Sequence, residues 1–269
     1  MDNISISTWS LHRQLGRAWY VPTADGLQNR SDQTDRVELM AVPELVASQG
    51  IHQLEVCHFH FPSVDEGYLN EFRSELERHA VTFYSLLIDT GDITHPNEKQ
   101  REDDLDLIRH WIDVAGQCGA LQARVIAGDA VVSDEAIALS AKNLGILAEY
   151  AQMRGVKVST ENFKKLTQRA APLLEIINRC PSELALCADY GNFKGQTKYD
   201  DLAAILPTAT TIHAKGDYVN GALDKTDFGQ CMHLATSANF EGPYVLIFSD
   251  DGEEWPYLQA LKNDIQTYL

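Results

Sequence analysis

Val156-Lys157-Val158-Ser159-Thr160-Glu161-Asn162 follows a helical stretch that closes on Arg154-Gly155, and it ends in a carboxylate and an amide. Val156, Val158 and Thr160 alternate with Lys157, Ser159 and Glu161, which is the period of a strand. A strand ending in Glu-Asn puts polar groups at the mouth of a sheet, because a core would reject them. Two later runs are written the same way. Leu184-Ala185-Leu186-Cys187-Ala188-Asp189 leads into Tyr190-Gly191-Asn192, and Thr210-Thr211-Ile212-His213-Ala214-Lys215 leads into Gly216-Asp217. Three successive strands thus deliver Glu161, Asp189 and His213 to one rim.

Upstream, Ile4 to Trp9, Ile51 to Cys57, Val81 to Ile88 and Leu121 to Ala127 read as the first four strands, and Tyr244 to Phe248 reads as the eighth. Helical stretches separate them: Val37 to Ser48, Asp65 to His79, Glu98 to Cys118, Ser133 to about Arg154, Pro172 to Asn178, Asp200 to Leu206, Phe228 to Ser237 and Glu253 to Tyr268. Ser133-Asp134-Glu135 supplies an N-cap and an acidic first turn. Eight β-then-α units without a long linker predict an α/β fold, a closed (β/α)8 TIM barrel occupying residues 1–269 as a single domain. An open doubly wound sheet would call for a glycine-rich phosphate loop after the first strand, and there is none. Residues 12–36 form a long polar segment with Arg13, Arg17, Trp19, Tyr20 and Arg30, the length of a lid or binding loop.

Across 269 residues, 22 Lys+Arg stand against 39 Asp+Glu, a net charge of −17 that repels nucleic acid and anionic membrane surfaces. Neither is an expected partner. The five cysteines include no CxxC pair, which fits a reduced, cytoplasmic setting better than a disulfide framework. Met1-Asp2-Asn3-Ile4 carries no basic region or long apolar stretch, so a signal peptide is not expected. No apolar run approaches the roughly 20 residues of a membrane span.

Active sites of such barrels sit at the C-terminal strand ends. There the sequence places Glu55 with His58 and His60, then Asp89, Asp129, Glu161 with Asn162, Asp189 with Asn192, His213 with Lys215 and Asp217, and Asp250 with Asp251. Taken singly, each is an ordinary polar rim residue. Together, Glu161, Asp189 and His213 offer the oxygen and imidazole donors of a divalent site for Mn2+, Mg2+, Co2+ or Zn2+.

This ordered set resembles the xylose isomerase-like barrels, specifically the sugar phosphate isomerase/epimerase group that includes ketose 3-epimerases. The resemblance spans the chain and rests on Ser159-Thr160-Glu161-Asn162, Ala188-Asp189-Tyr190-Gly191-Asn192, Ile212-His213-Ala214-Lys215-Gly216-Asp217 and Phe240-Glu241-Gly242-Pro243-Tyr244. It implies a divalent metal held by Glu161, Asp189 and His213, a small carbohydrate substrate, and proton transfer beside a carbonyl. Glu161 is the expected base, with Asp250, Asp251, Asp217 or Lys215 as its candidate partner. His58, His60, Asn192, Trp19 and Asp250 are the expected substrate contacts, and a homo-oligomer is compatible with the family.

Two positions depart from the family pattern. The fourth metal ligand, a glutamate on the eighth strand, should fall at Ile247 or Phe248, and neither binds metal. Asn192 stands where a substrate-binding histidine is common. A weakly held metal is therefore expected, and two readings stand beside an epimerase: a metal-assisted lyase or hydrolase needing one base, and a non-catalytic sugar-binding barrel. Abasic-site endonucleases share the fold, but they use a larger histidine-rich cluster and a DNA partner that −17 would repel.

Overall fold

The structure, a computed structural model, describes residues 3–16, 18–23, 26–31 and 37–269, with residues 18–31 described by backbone alone. The chain opens with β1 (Ile4–Ser7), α1 (His12–Leu15), and a hairpin of β2 (Ala18–Thr23) and β3 (Gly26–Ser31). Then follow α2 (Val42–Ser48), β4 (Gln53–Cys57), α3 (Glu66–Arg78), β5 (Thr82–Ile88), α4 (Glu98–Gln117), β6 (Gln122–Val125) and α5 (Asp134–Gln152). The second half holds β7 (Lys157–Glu161), α6 (Ala170–Arg179), β8 (Ala185–Asp189), α7 (Lys198–Ile205) and β9 (Thr211–Lys215). It ends with a two-residue-strand hairpin of β10 (Tyr218–Val219) and β11 (Ala222–Leu223), then α8 (Lys225–Ser237), β12 (Tyr244–Ile247) and α9 (Glu254–Gln266).

Eight strands close into a parallel barrel in the order β1-β12-β9-β8-β7-β6-β5-β4, as the alternation of β and α units predicts. The closing strand is β1, which pairs Ile4 with Tyr244 on one side and Ile6 with Leu54 on the other. One irregularity falls between β4 and β5, where Leu54 pairs with Phe83 but Glu55 pairs with Ser85. The extra residue, Tyr84, turns its hydroxyl to Gln122 Nε2 (3.1 Å) and Thr211 Oγ1 (3.0 Å) across the barrel.

Helices start where side chains satisfy the first free amides. Asp65 accepts from Tyr68 N, Asn97 from Gln100 N and Ser133 from Ala136 N. Apolar residues of the strands, among them Ile6, Leu54, Val125, Val158, Leu186 and Ile212, pack outward with the helices into one hydrophobic cluster. The alternate residues face the barrel axis and are polar or charged: Ser7, Arg124, Glu161, Asp189 and His213 are all buried. The strands therefore read as alternating, not as the continuous apolar runs usual in parallel sheets. Barrel interiors are ordinarily filled by branched apolar side chains; this one has given much of its upper interior to charge.

Residues 12–36, expected as a loop, instead contain α1 and the β2–β3 hairpin in their described part. Strand β2 lies against the short turn His58–His60 at the C-terminal rim. Among the described residues, no helix is long and apolar enough to cross a membrane.

Candidate active site

β7 and β8 each hand over their last residue, and β9 hands over His213 and Lys215. Glu161 ends β7 and Asp189 ends β8, and the side chain of Asn162 ties the two ends together. Its Oδ1 accepts from Asp189 N (2.8 Å) and its Nδ2 donates to Asp189 O (3.0 Å). Gly191 N donates to Asp189 Oδ1 at 2.6 Å, which leaves Oδ2 toward the barrel axis. Glycine is required at 191 because a Cβ there would meet Lys215 Cδ at 2.7 Å. The Lys215 stem crosses that bare backbone on its way to the cavity.

His213, on β9, sits between carboxylates on both sides. Its Nε2 lies 2.8 Å from Glu55 Oε2, and an ionised carboxylate only accepts, so Nε2 carries the hydrogen. Its Nδ1 lies 3.6 Å from both Glu161 Oε1 and Asp189 Oδ2. Burial works against charge on His213, but the facing Cys187 sulfur, Glu55, Glu161 and Asp189 outweigh it and raise its pKa well above the usual value.

Glu161 is held from two further directions. Asn192 Nδ2 donates to Oε1 at 2.9 Å, and the buried Arg124 places Nε 3.1 Å from Oε2. Arg124 Nη1 also lies 2.7 Å from Asp89 Oδ1. At both contacts the charges meet without hydrogen-bond alignment, so Glu161 Oε2 and Asp89 Oδ1 keep buried, unused lone pairs. Burial lowers the guanidinium's pKa, yet Asp89 and Glu161 more than reverse this. For Asp89, burial raises the carboxyl's pKa, but Arg124, His58 and His213 outweigh it and hold it below the ordinary range.

These groups line one cavity of about 130 Å³ at the C-terminal mouth, with Glu161, Asp189, Asn192, His213 and Lys215 in its wall beside Arg124, Asp89 and Trp9. Ile247 lines it too, so the strand-eight position that faces the site is apolar. Phe248 points the other way, fully buried and stacked on Tyr257 at 4.5 Å.

Three expected substrate contacts are not in the cavity wall. His58 accepts from Asp89 N at 3.2 Å and packs edge-on against Trp111; His60 Nδ1 meets Thr8 Oγ1 at 2.8 Å. Both histidines brace the mouth from behind. Asp250 is exposed beyond the end of β12, in the turn whose Asp251 pairs with Arg13 at 3.2 Å. The strand ends too early to bring it inward. Trp19 belongs to β2, and its side chain lies outside the described residues.

Sequence reasoning passed over Arg124, Cys187, Trp9 and Phe163. For Arg124 there was a signal: one charge between Ala123 and Val125 in a strand otherwise fit for burial. The Cys187 sulfur lies with donor atoms of Glu161 and His213, all three within 4.8 Å of one another.

The structure is thus a parallel eight-stranded barrel in which carboxylates and an imidazole from β7, β8 and β9 meet. The chain belongs to the xylose isomerase-like TIM barrel family, whose model matches residues 43–264. Among solved structures it is similar to L-ribulose 3-epimerase, with a TM-score of 0.74, 14% identity, and coverage of 100% of this chain and 96% of that one. It is similar to a xylose isomerase-like TIM barrel protein from Mycobacterium smegmatis in complex with magnesium (TM-score 0.68, 17% identity, 100% and 98% covered). A third is the probable 3-DHS dehydratase AsbF from Bacillus anthracis (TM-score 0.67, 13% identity, 99% and 98% covered). At these identities the likeness is one of fold. No curated protein matches the sequence.

Proposed function

We propose that this protein is a sugar isomerase or epimerase-like enzyme that transfers a proton beside a carbonyl of a small polyhydroxylated substrate, assisted by a divalent ion at Glu161, Asp189 and His213. One observation supports this most. With Nε2–H given to Glu55, Nδ1 faces two carboxylate oxygens at 3.6 Å, too far for hydrogen bonds, and would give up its proton to become a ligand. Bonds of about 2.0–2.2 Å from one ion to these atoms would set them about 3–3.6 Å apart. The donor set fits. A carboxylate on the far nitrogen of a ligating histidine is the usual outer support of such centres.

When bound, the ion would polarise the substrate's carbonyl and hydroxyl oxygens as a Lewis acid. Mn2+, Mg2+, Co2+ and Zn2+ all suit oxygen and imidazole donors to different degrees. Glu161 is the base, oriented by Asn192 on one oxygen and by Arg124 on the other. Lys215, in the same wall, would give or receive the second proton. Asp89 fixes Arg124, and His58 fixes the backbone of Asp89. The β2–β3 hairpin, lying against the His58–His60 turn, would cover the mouth and bring Trp19 to the ligand.

A second reading is favoured by Ile247. With no carboxylate opposite Glu161, a lyase that removes one proton and expels a hydroxyl needs only the base present. A panel of ketoses and polyhydroxylated acids in D2O, followed by NMR with Mn2+-free and Mg2+- or Zn2+-loaded protein, separates the outcomes. Deuterium entering at the carbon beside the carbonyl supports an epimerase, and formation of an enone supports a lyase. Binding without either supports a sugar-binding barrel and overturns the catalytic reading.

A further inference from the structure

We propose that Cys187 is a ligand of this centre and biases it toward thiophilic ions such as Zn2+ or Co2+. The inference rests on the reading that Glu161 and His213 hold a divalent ion. Cys187 lies two residues before Asp189 on β8, so both side chains leave the same face of the sheet. Its register partners are Glu161 on β7 and Thr211 on β9, which puts the sulfur between the strands that supply the carboxylate and the imidazole. The sulfur, a Glu161 oxygen and a His213 nitrogen all lie within 4.8 Å of one another, and all three residues are buried. Small adjustments of these side chains would place all three on one ion, given bonds of about 2.0–2.3 Å.

Two further observations point the same way. On the other side of His213, β12 sets Val245 beside it and Ile247 beside Lys215, neither with a donor atom, so any charge beyond Glu161 and Asp189 would come from elsewhere in the barrel. Glu161 Oε2 keeps a buried lone pair that Arg124 approaches without hydrogen-bond alignment. A cysteine can supply the missing charge. On coordination the S–H proton passes to solvent as the sulfur–metal bond forms, so one divalent ion in is matched by one proton out. A thiolate adds a soft donor to an otherwise hard set, which favours Zn2+ and Co2+ over Mg2+ and Mn2+.

The test is Co2+ titration of the metal-stripped full-length protein, followed by absorption spectroscopy. The expected result is visible d–d absorption together with a near-ultraviolet sulfur-to-cobalt charge-transfer band. That band should vanish in Cys187→Ser and in Cys187→Ala, while surviving in Cys57→Ser, the cysteine of the cavity wall. Zn2+ affinity should fall at least ~10-fold in Cys187→Ser, with Mg2+ affinity unchanged. Visible d–d bands without the charge-transfer band in the parent, or a band that survives both Cys187 variants, would overturn the proposal and leave the oxygen–imidazole centre standing. Absence of any Co2+ uptake would overturn the centre itself. If a Cys187 variant folds poorly, Cys57→Ser still decides, because loss of the band there would assign it to Cys57 and overturn the proposal.

Discussion

Replacing Arg124 by methionine removes the guanidinium that faces Asp89 at 2.7 Å and Glu161 at 3.1 Å inside the barrel. Methionine fills much of the same volume, so the change isolates charge. Removing one partner of a buried ion pair costs about 3–5 kcal/mol, because the other charge is left without compensation. Glu161 is 3% exposed, but the Asp89 side chain is 24% exposed and can recover some hydration, so about 3 kcal/mol is the expected loss. With an unfolding entropy near 2.1 cal/mol/K per residue, 269 residues give about 0.56 kcal/mol/K, hence a fall in Tm of about 5 °C.

Calorimetry of the metal-free proteins across pH measures it. The Arg124 charge holds the Asp89 carboxyl below its ordinary range, so that contribution is present above about pH 3.9 and is lost as pH falls through the depressed value. The gap between parent and Arg124→Met should therefore be widest near neutral pH and close in acid. An unchanged Tm at neutral pH, or a gap that widens in acid, would refute the view that Arg124 compensates the buried carboxylates.

Other outcomes follow from the same geometry. Ile247→Glu should tighten Mn2+ binding by calorimetry, since the side chain already faces the cavity, whereas Phe248→Glu should lower Tm without a gain in affinity because it buries a carboxylate against Tyr257. The metal-free protein should lose stability as pH rises above about 6.5, because the raised pKa of His213 contributes fully below the unfolded value and fades as pH passes through the folded one. Thermal scans of His213→Asn should lack that slope. Trp19→Ala should weaken binding of any ketose that proves to be a ligand, and equal affinity for parent and variant would remove the hairpin from the mouth.

Much of the fold was legible because the barrel's interior is polar. Val156, Val158 and Thr160 face helices while Ser159 and Glu161 face the axis, so the strand announces its period; a purely apolar barrel strand would not. The Ser133 cap placed the start of α5, and the expected helix start at Asp65 is the residue that caps α3. The β2–β3 hairpin escaped because its sequence, with Trp, Tyr, Asn and Arg, shows no clear apolar–polar alternation, although Asp25-Gly26 is a turn signal.

Within the site, Glu161, Asp189 and His213 were readable as strand ends. Their surroundings were not, since Glu55 reaches His213 across 158 residues and Arg124 reaches Glu161 from the neighbouring strand. Such partners are set by barrel closure, which no local pattern encodes. Asp250 looked available only because the end of β12 could not be fixed to the residue; one strand position separates the inward Ile247 from the outward Phe248.

The central claim is that Glu161, Asp189 and His213 form one divalent-ion centre. Isothermal calorimetry of metal-stripped parent and Glu161→Gln with Zn2+ and Mn2+ tests it most directly. The account predicts saturable one-to-one binding in the parent, accompanied by proton release, and loss of that binding in Glu161→Gln. Equal binding by the two proteins would contradict it, and would remove Glu161 from any metal-assisted chemistry in this barrel.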